Sequence, residues 1–378
     1  MKGLRWLVLL AFVVSGCGRI GALDSRATYA PIATTALPRA NPEATATAAV
    51  TATLQASATD SRVAQTTMAT RSPEAQCFIS YNHPVAFTPD SQRIIIKGEQ
   101  TIQIFNLSTM QDEQRIPAQG MMEGPALAVS PDGALLAWVL EDNSIQVMRI
   151  ADRKVLGKLK GPSDVVNKLE FTPDGERLVA ASHDTWVRVW SLDGSLLEAF
   201  QPGGANYMPS QVLGMGISAD GSMIATIPVD GPVRLWDMKG FGLLRTLGGS
   251  GSFDTSDIAF SPDGKLVAAD LSSGLFLWQT ADGSQLLGGN PGINSMAAAF
   301  SPDGRYLAYS EIGEENTIVL SSPDGAEKIR VLEGLQGPVW MLIFSPDSTL
   351  LASADGSEVR IWAVEEGRVL ANGRSACP

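Results

Sequence analysis

The sequence contains few of the residues on which metal, acid–base and redox sites usually depend. Three cysteines occur among 378 residues, which excludes a zinc site with four thiolate ligands. They are far apart in the chain, so the close cysteine pair of a mixed cysteine–histidine zinc finger is also excluded. The two histidines, His83 and His183, leave little for histidine-based chemistry. We therefore expect no metal and no cofactor.

The chain also lacks a surplus of positive charge. Its apolar run near the N-terminus is too short to span a membrane. The 28 lysines and arginines are outnumbered by 40 acidic residues, for a net charge of −12. Because nucleic-acid binders normally carry a basic patch, we expect no nucleic-acid partner. The apolar run over residues 6–14 is nine residues long, whereas a spanning helix needs roughly 20.

The N-terminus instead has the parts of a secretory signal. Lys2 and Arg5 precede the short apolar run, as in the charged and hydrophobic regions of such signals. The run ends in Val14-Ser15-Gly16-Cys17, which resembles the lipobox of bacterial lipoproteins. The resemblance implies that residues 1–16 are removed and that Cys17 carries a lipid. The protein would then be exported and anchored to the outer side of a bacterial membrane, at the cell surface or in the periplasm. A plain signal peptide with an incidental cysteine, or a buried N-terminal strand, is the alternative.

The segment that follows the signal has a composition unlike the rest of the chain. Alanine and threonine fill 26 of the 50 positions from 27 to 76, and Tyr29 is the sole aromatic residue there. Such a segment cannot bury enough apolar surface to offset the entropy of ordering it. We expect residues 17–76 to be a disordered tether.

From residue 77 the chain repeats one unit built around a Ser/Thr-Pro-Asp-Gly type of turn. Proline presets the backbone for such a turn, the aspartate bonds to its own backbone, and glycine accepts the positive φ. Successive turn aspartates are 40 to 46 residues apart, which is the period of a four-stranded propeller blade. The seven aspartates are Asp90, Asp132, Asp174, Asp220, Asp263, Asp303 and Asp347.

Each repeat predicts four short strands, a to d. In the third repeat they cover residues 168–171, 177–181, 187–190 and 196–200, and their nearly continuous apolar character is expected where sheets pack on both faces. Seven such repeats fill residues 77–378. The sequence therefore predicts an all-β, seven-bladed propeller with four antiparallel strands in each blade.

The c strands resemble those of the WD40 repeat family. Trp236-Asp237 is a Trp-Asp pair, and three further blades place Trp190, Trp278 or Trp362 at the same point. The remaining three have Phe105, Met148 and Leu320 there, and the family's Gly-His dipeptide is missing. The resemblance implies a rigid, non-enzymatic scaffold whose loop faces bind a protein or a peptide. We expect a monomer.

Closure of the ring is the next expectation. The seventh repeat contains its own four strands, over residues 343–344, 350–353, 359–364 and 368–371, so it needs no strand from the N-terminus. Cys77 precedes the first a strand and Cys377 follows the last d strand, and these two points meet in a closed ring. An exported protein can keep a disulfide, so we predict a Cys77–Cys377 bond. A pair of free surface thiols is the alternative.

The sequence gives little sign of an active site. The nucleophile elbow, phosphate loop and zinc-helix motifs are all missing, and His183-Asp184 falls in a hairpin turn without an evident nucleophile. The a strands carry small residues such as Ala126, Ala128, Gly214, Gly216, Ala297 and Ala299. We therefore expect no cluster of titratable groups at the central channel. A ligand-binding or hydrolytic propeller with a channel site, or a cell-envelope glycan-binding module, is the alternative function.

The d–a connections vary more than the a–b turns, so the d–a and b–c loops should form the binding face. Varied, partly aromatic residues on a rigid rim are typical of interface anchors. Trp340 and Leu213 each lie at the entry to strand a, five residues before the turn serine of their blade. The alternative for these two residues is that they pack between blades. The candidate contacts are Trp340, Tyr207 and Trp186, with His83 and Met296 beside them.

Overall fold

The computed structural model describes residues 85–98, 101–117, 126–203, 210–229, 231–249, 257–271, 273–288, 295–313, 315–355 and 358–374. The predicted signal, tether and lipid-bearing Cys17 lie outside these residues, as do Cys77, Cys377, His83 and Tyr207. In the described part of the chain, no helix is long and apolar enough to cross a membrane.

Seven four-stranded sheets make up this structure. Blade 1 contains β1 (Val85–Phe87), β2 (Arg93–Lys97), β3 (Thr101–Asn106) and β4 (Gln111–Pro117). Blade 2 contains β5 (Leu127–Val129), β6 (Leu135–Val139), β7 (Ile145–Arg149) and β8 (Val155–Leu159). Blade 3 contains β9 (Val166–Phe171), β10 (Arg177–Ser182), β11 (Val187–Ser191) and β12 (Leu196–Phe200). Blade 4 contains β13 (Val212–Ile217), β14 (Met223–Pro228), β15 (Arg234–Asp237) and β16 (Leu243–Thr246).

The remaining three blades follow the same order. Blade 5 contains β17 (Ile258–Phe260), β18 (Leu266–Leu271), β19 (Gly274–Gln279) and β20 (Gln285–Leu287). Blade 6 contains β21 (Ala298–Phe300), β22 (Leu307–Glu311), β23 (Thr317–Ser321) and β24 (Lys328–Leu332). Blade 7 contains β25 (Met341–Phe344), β26 (Leu350–Ala354), β27 (Glu358–Ala363) and β28 (Arg368–Arg374).

The sheets are arranged as a closed ring of blades. Within each blade, consecutive strands pair antiparallel in sequence order. The first strand of every blade contacts the first strand of the next, and β1 contacts β25, so the first strands form the wall of a central channel. The predicted seven-bladed propeller is confirmed, and blade 7 is complete in itself as expected.

Buried tryptophans of the third strands occupy the spaces between blades. Trp190, Trp278 and Trp362 are each 1% exposed. In blade 7 the indole N–H of Trp362 donates to Ser353 Oγ at 2.9 Å, and in blade 4 the indole N–H of Trp236 donates to Thr226 Oγ1 at 2.9 Å. These bonds satisfy the polar atom of a side chain whose burial dominates the core.

In blade 6 the register differs from the expectation. Leu307 pairs with Ser321, whereas the equivalent Leu351 of blade 7 pairs with Trp362. Ser321, and not Leu320, therefore stands at the tryptophan position. Ser321 is fully buried, and its hydroxyl donates to Leu307 O at 3.1 Å. The sequence-based prediction placed the tryptophan position of blade 6 one residue too early, at Leu320, because it assumed that this position carries an apolar side chain.

The turn between the first and second strands is tied together by its own side chains. In blade 5 the hydroxyl of Ser261 donates to Asp263 Oδ1 at 2.7 Å and accepts the N–H of Leu266 at 2.9 Å. The N–H of Lys265 donates to the same carboxylate oxygen at 3.1 Å. Ser261 is buried, so the turn leaves no donor or acceptor of this side chain unsatisfied.

These turns also join neighbouring blades. A Cβ on Gly133 of blade 2 would lie 3.0 Å from Pro89 Cδ of blade 1, so the glycine permits close packing of the two turns. Blade 1 has Ser91 at the equivalent position with a φ of 57°. Its Oγ accepts the N–H of Asp347 in blade 7 at 3.1 Å. This bond joins the turns of the first and last blades, whose first strands β1 and β25 also contact each other.

Candidate functional site: a loop rim and a charged channel wall

Trp340 is the most exposed of the predicted contact residues that the structure describes. It directly precedes β25, and its backbone N–H donates to Ala354 O at 2.9 Å. Its side chain is nevertheless 42% exposed, which makes it the one exposed aromatic residue in the described ranges. Leu213, at the same position of blade 4, is 3% exposed and packs in the core. The alternative of packing between blades therefore holds for Leu213 and is wrong for Trp340.

Met296 occupies the same position in blade 6, next to blade 7. It is half-buried, and its N–H donates to Ser310 Oγ at 2.9 Å. Because blades 6 and 7 are neighbours, Met296 and Trp340 belong to one sector of the loop rim. His83 would extend this sector into blade 1, but it lies outside the described residues, as does Tyr207.

Trp186 belongs to a different part of the rim. It lies in the β10–β11 turn of blade 3, is half-buried, and is held by a bond from its N–H to Asp184 Oδ1 at 3.2 Å. The Arg188 guanidinium lies 5.8 Å from the centre of its ring. Blade 3 is not a neighbour of blade 7, so the structure does not bring Trp186 and Trp340 together.

The Asp184 carboxylate has a structural role. It forms an ion pair with Arg188 at 2.8 Å, and the two side chains are 5% and 11% exposed. Burial by itself would raise the pKa of Asp184, but hydrogen bonds from Arg188 and from the N–H of Ser163 outweigh it and hold that pKa below its usual value. The neighbouring His183 uses its backbone N–H to bond Val165 O at 2.8 Å. The interpretation of His183-Asp184 as a structural pair is consistent with these contacts.

The channel wall carries charged groups that the sequence analysis did not expect. Lys168 Nζ in β9 lies 2.9 Å from Asp257 Oδ1, directly before β17, with side-chain exposures of 33% and 18%. The pair reaches past blade 4, which offers Gly214 and Gly216 at the equivalent positions. A Cβ on Gly216 would lie 2.9 Å from Ile258 O, so only glycine allows this close approach of β13 to β17. The prediction of a channel without convergent titratable groups is wrong.

Two further carboxyl groups lie beside this ion pair. Burial raises the pKa of Glu170 in β9 to about 8, although Lys168 and the N–H of Ile217 act in the opposite direction. Burial also raises the pKa of Asp270 in β18 to about 8, and the charge on Asp257 adds to this shift. Both groups are therefore largely protonated at neutral pH, which leaves the wall with one cation and one carboxylate.

Asp270 is the most isolated of these groups. It is fully buried, and its N–H donates to Asp257 O at 2.9 Å. Neither carboxylate oxygen has a hydrogen-bond partner in the part of the chain that the structure describes. The nearby hydroxyl of Ser295 acts to lower the pKa of Asp270 but does not outweigh the burial, and it also donates to Ala297 O at 3.3 Å. An unpaired buried carboxyl is costly to stability and is typical of a functional position.

A signal for the channel cluster is present in the sequence. Strand a of blade 3 has Lys168 and Glu170 four and two residues before the turn threonine. The other blades place alanine, glycine or another apolar residue two positions before their turn. Asp257 holds the four-residue position in blade 5. Comparing the seven repeats position by position would have identified the cluster.

The arrangement does not resemble a metal centre. Across the described ranges, no three His, Cys, Asp or Glu side chains converge closely enough to hold a metal ion. A cavity of about 330 Å³ does lie next to Asp257, along the first strands of blades 5, 6 and 7. This cavity is large enough for a small organic group.

Comparison with known proteins gives a consistent result. The family model described as "WD domain, G-beta repeat" (WD40) matches residues 153–191 and 326–363. Each match runs from the outer strand of one blade through three strands of the next.

Curated relatives come from several eukaryotes. "Small ribosomal subunit protein RACK1y" of Oryza sativa subsp. japonica is 29% identical over 164 residues, which cover 42% of this chain and 48% of that protein. "WD repeat-containing protein SL1-17" of Schistosoma mansoni is 29% identical over 205 residues, 51% of this chain and 63% of that protein. "WD repeat and SOCS box-containing protein 1" of Danio rerio is 34% identical over 116 residues, 30% of this chain and 26% of that protein.

The matched part of this chain spans less than two thirds of each of these relatives. Two of the three are named as WD-repeat proteins, and a ring of seven four-stranded blades agrees with such repeats. Two segments of this chain, residues 153–191 and 326–363, are therefore similar to the WD40 repeat.

Proposed function

We propose that this protein is a non-enzymatic scaffold that binds a protein or peptide partner at the loop rim of blades 6 and 7. The observation that carries the proposal is the 42% exposure of Trp340 on that rim. A tryptophan held at the start of a strand loses little conformational entropy on binding and offers a large apolar surface. Met296 adds a flexible apolar neighbour in the adjacent blade.

The repeat fold favours this role over catalysis, although the step is an analogy at the level of the fold. The resemblance to WD40 repeats suggests a role in binding other proteins. The loop rim suits that role because it is the part of this propeller that differs most from blade to blade. A glycan-binding module would be expected to use several neighbouring exposed aromatic residues, and Trp340 stands alone among the described ones.

We further propose that the scaffold is exported and held at a bacterial membrane by a lipid on Cys17. The support is the lipobox resemblance at residues 14–17 and the low-complexity composition of residues 27–76. A disulfide between Cys77 and Cys377 would then be able to form outside the reducing cytoplasm.

The binding role is tested with the full-length chain in its native cells. Trp340→Ala is compared with Leu197→Ala, which removes an equally large apolar side chain that is 51% exposed on the outer strand β12. Partner peptides cross-linked to blades 6 and 7 are quantified by mass spectrometry. We expect Trp340→Ala to reduce them about tenfold, as for a central interface residue, and Leu197→Ala to leave them unchanged.

Both variants should melt within about 2 °C of the wild type, because exposed side chains contribute little to stability. A large fall in the melting temperature of Trp340→Ala, with partner cross-links retained, would show that Trp340 supports the fold instead. Equal cross-linking in all three proteins would contradict the assignment of the rim.

The anchor is tested separately by Cys17→Ser. This variant should lose its lipid and leave the detergent phase on phase separation, because a single apolar run of nine residues cannot hold the protein in a bilayer. Retention in the detergent phase would place the anchor elsewhere.

A further inference from the structure

We propose that the central channel binds a small amphipathic primary amine, with its ammonium group on the Asp257 carboxylate and its apolar part in the cavity along blades 5 to 7. This site is separate from the loop rim and does not depend on the scaffold role. The occupant is identified by charge and shape, and four features in and beside the channel support it.

The cavity has the composition of a site for an amphipathic cation. Its volume is about 330 Å³, and Asp257 is the one titratable residue among those that line it. The other lining residues are apolar, and three of them are aromatic: Phe260, Phe300 and Phe344. Small-molecule sites are mostly apolar with a few fixed polar groups, and aromatic faces also attract an ammonium ion.

Asp257 already binds an ammonium group in this structure. Lys168 Nζ lies 2.9 Å from its Oδ1, whereas Oδ2 has no partner in the described ranges. The carboxylate can therefore accept a second ammonium ion at Oδ2 or exchange Lys168 for it. The lysine demonstrates that the geometry at this point suits an amine.

Glu170 gives Lys168 a second partner when an amine arrives. The two side chains interact electrostatically, and burial keeps the pKa of Glu170 at about 8. An incoming cation at Asp257 allows Lys168 to pair with Glu170, which then releases its proton. The groups that face Glu170 are Lys168 and Asp257, and β13 presents no charged side chain, since it reads Val-Leu-Gly-Met-Gly-Ile.

Asp270 adds an independent indication of a missing positive charge. It is fully buried behind Asp257, and both carboxylate oxygens are without partners in the described part of the chain. A cation bound at Asp257 would lower the cost of ionising this carboxyl. Two carboxyl groups near the described ion pair, Glu170 and Asp270, are therefore kept protonated by burial, and a bound cation would help to ionise them.

The test is isothermal titration calorimetry on the purified full-length chain at neutral pH, with hexylamine as the probe. Matched probes are 1-hexanol, which keeps the tail without the charge, and hexanoate, which reverses the charge. We expect hexylammonium to bind at least about tenfold more tightly than hexanol, as one hydrogen bond to a charged group implies. Hexanoate should not bind.

Three variants sharpen the test. Asp257→Asn should abolish the preference for hexylammonium over hexanol. Lys168→Met frees Asp257 Oδ1 and should raise the affinity for hexylammonium about tenfold. Leu197→Ala, on the outer surface, should leave both affinities unchanged. Thermal melts establish that each variant is folded, and if Asp257→Asn does not fold, the Lys168→Met result decides.

Proton release gives a second readout. Titrations in buffers of different ionisation enthalpy should show protons released on binding below about pH 8, and Glu170→Gln should reduce that release by the share that Glu170 supplies. Equal binding of hexylammonium and hexanol by the wild type would overturn the proposal. Binding of hexanoate that is lost in Lys168→Met would also overturn it, because the site would then be one for anions on the lysine.

Discussion

Carboxyl groups occur both in the a–b turns and in or beside the channel wall, and their pKa values are shifted in opposite directions at the two places. Hydrogen bonds from the turn hydroxyls, with further bonds from backbone N–H groups, lower the pKa of four turn aspartates: Asp132, Asp174, Asp220 and Asp263. At the channel wall, burial raises the pKa of Glu170 and Asp270 to about 8. In each turn the hydrogen-bond donors come from the same a–b hairpin as the carboxylate. The carboxyl groups in and beside the channel wall have few hydrogen-bond donors or none.

The comparison separates carboxylates that stabilise the fold from carboxyls that the fold holds at a cost. Each of these four turn aspartates accepts a hydrogen bond from the turn hydroxyl and another from a backbone N–H, so its presence needs no explanation beyond the turn. Asp270 gains nothing comparable from the fold. Such a group, bonded through its backbone N–H to the cavity-lining Asp257, is more consistent with binding than with stability.

Asp184 shows that the partner of a carboxyl group, and not burial alone, decides whether the group is ionised. Its substitution is also expected to have the largest effect on stability. Its side chain is 5% exposed, yet the ion pair with Arg188 keeps it charged. Asp184→Ala should lower the free energy of unfolding by about 3–5 kcal/mol, because breaking a buried pair leaves an uncompensated charge. Urea denaturation followed by tryptophan fluorescence measures this.

The matched control is Asp193→Ala in the c–d turn of the same blade. Asp193 accepts the N–H of Ser195 at 2.9 Å but is exposed to solvent, so its loss should have a much smaller effect. Similar losses in the two variants would show that the Arg188 pair contributes no more than an ordinary turn bond.

Most of the fold was predictable because the turn chemistry repeats. The spacing of the turn aspartates located all seven blades, and four-strand repeats follow from it. Ser321 escaped prediction because a buried serine that bonds to Leu307 O cannot be distinguished from a surface residue by hydropathy. Which strand pairs are displaced by one residue is decided by tertiary packing.

The candidate site was less predictable for a related reason. Lys168 and Glu170 come from blade 3 and Asp257 from blade 5, and blade 4 between them has Gly214 and Gly216 at the equivalent positions. In the sequence, such small residues were interpreted as a sign that the channel lacks titratable groups, whereas an ion pair forms across the blade that carries them. Trp340, in contrast, was identifiable from its repeat position, but its exposure was not.

Asp270 gives the next largest effect, and one that depends on pH. Its pKa is about 8 in the folded protein, against about 4 in an unfolded chain. Between these values the folded state holds a proton that the unfolded state releases, so stability falls as pH rises. Asp270→Asn removes this titration. Its melting temperature should gain at least about 3 °C on the wild type between about pH 5.5 and about pH 8.5, since 1 kcal/mol corresponds to about 2–4 °C.

Asp263→Asn is the control for this titration. Hydrogen bonds from Ser261 and from the N–H of Lys265 lower the pKa of Asp263 to about 2, so its stabilisation is present above about pH 4 and is lost only as pH falls through about 2. The variant should therefore be destabilised by the same amount at both pH values. Parallel pH profiles for Asp270→Asn and the wild type would contradict a protonated Asp270 in the folded protein.

The smallest effect is expected at Ser91, where the turns of blades 1 and 7 meet. Ser91→Gly relieves a φ of 57°, a gain of about 1–2 kcal/mol. It also loses the hydrogen bond from the Asp347 N–H and gives the unfolded chain more freedom, which together cost about the same. The free energy of unfolding should change by less than about 1 kcal/mol. Ser91→Ala keeps the strained backbone and loses the bond, so it should cost about 1–3 kcal/mol. If Ser91→Ala is as stable as the wild type, the hydrogen bond from the Asp347 N–H does not stabilise this part of the ring, and the contact between β1 and β25 must do so. A glycine variant less stable than the alanine variant would show that the φ of 57° is not strained.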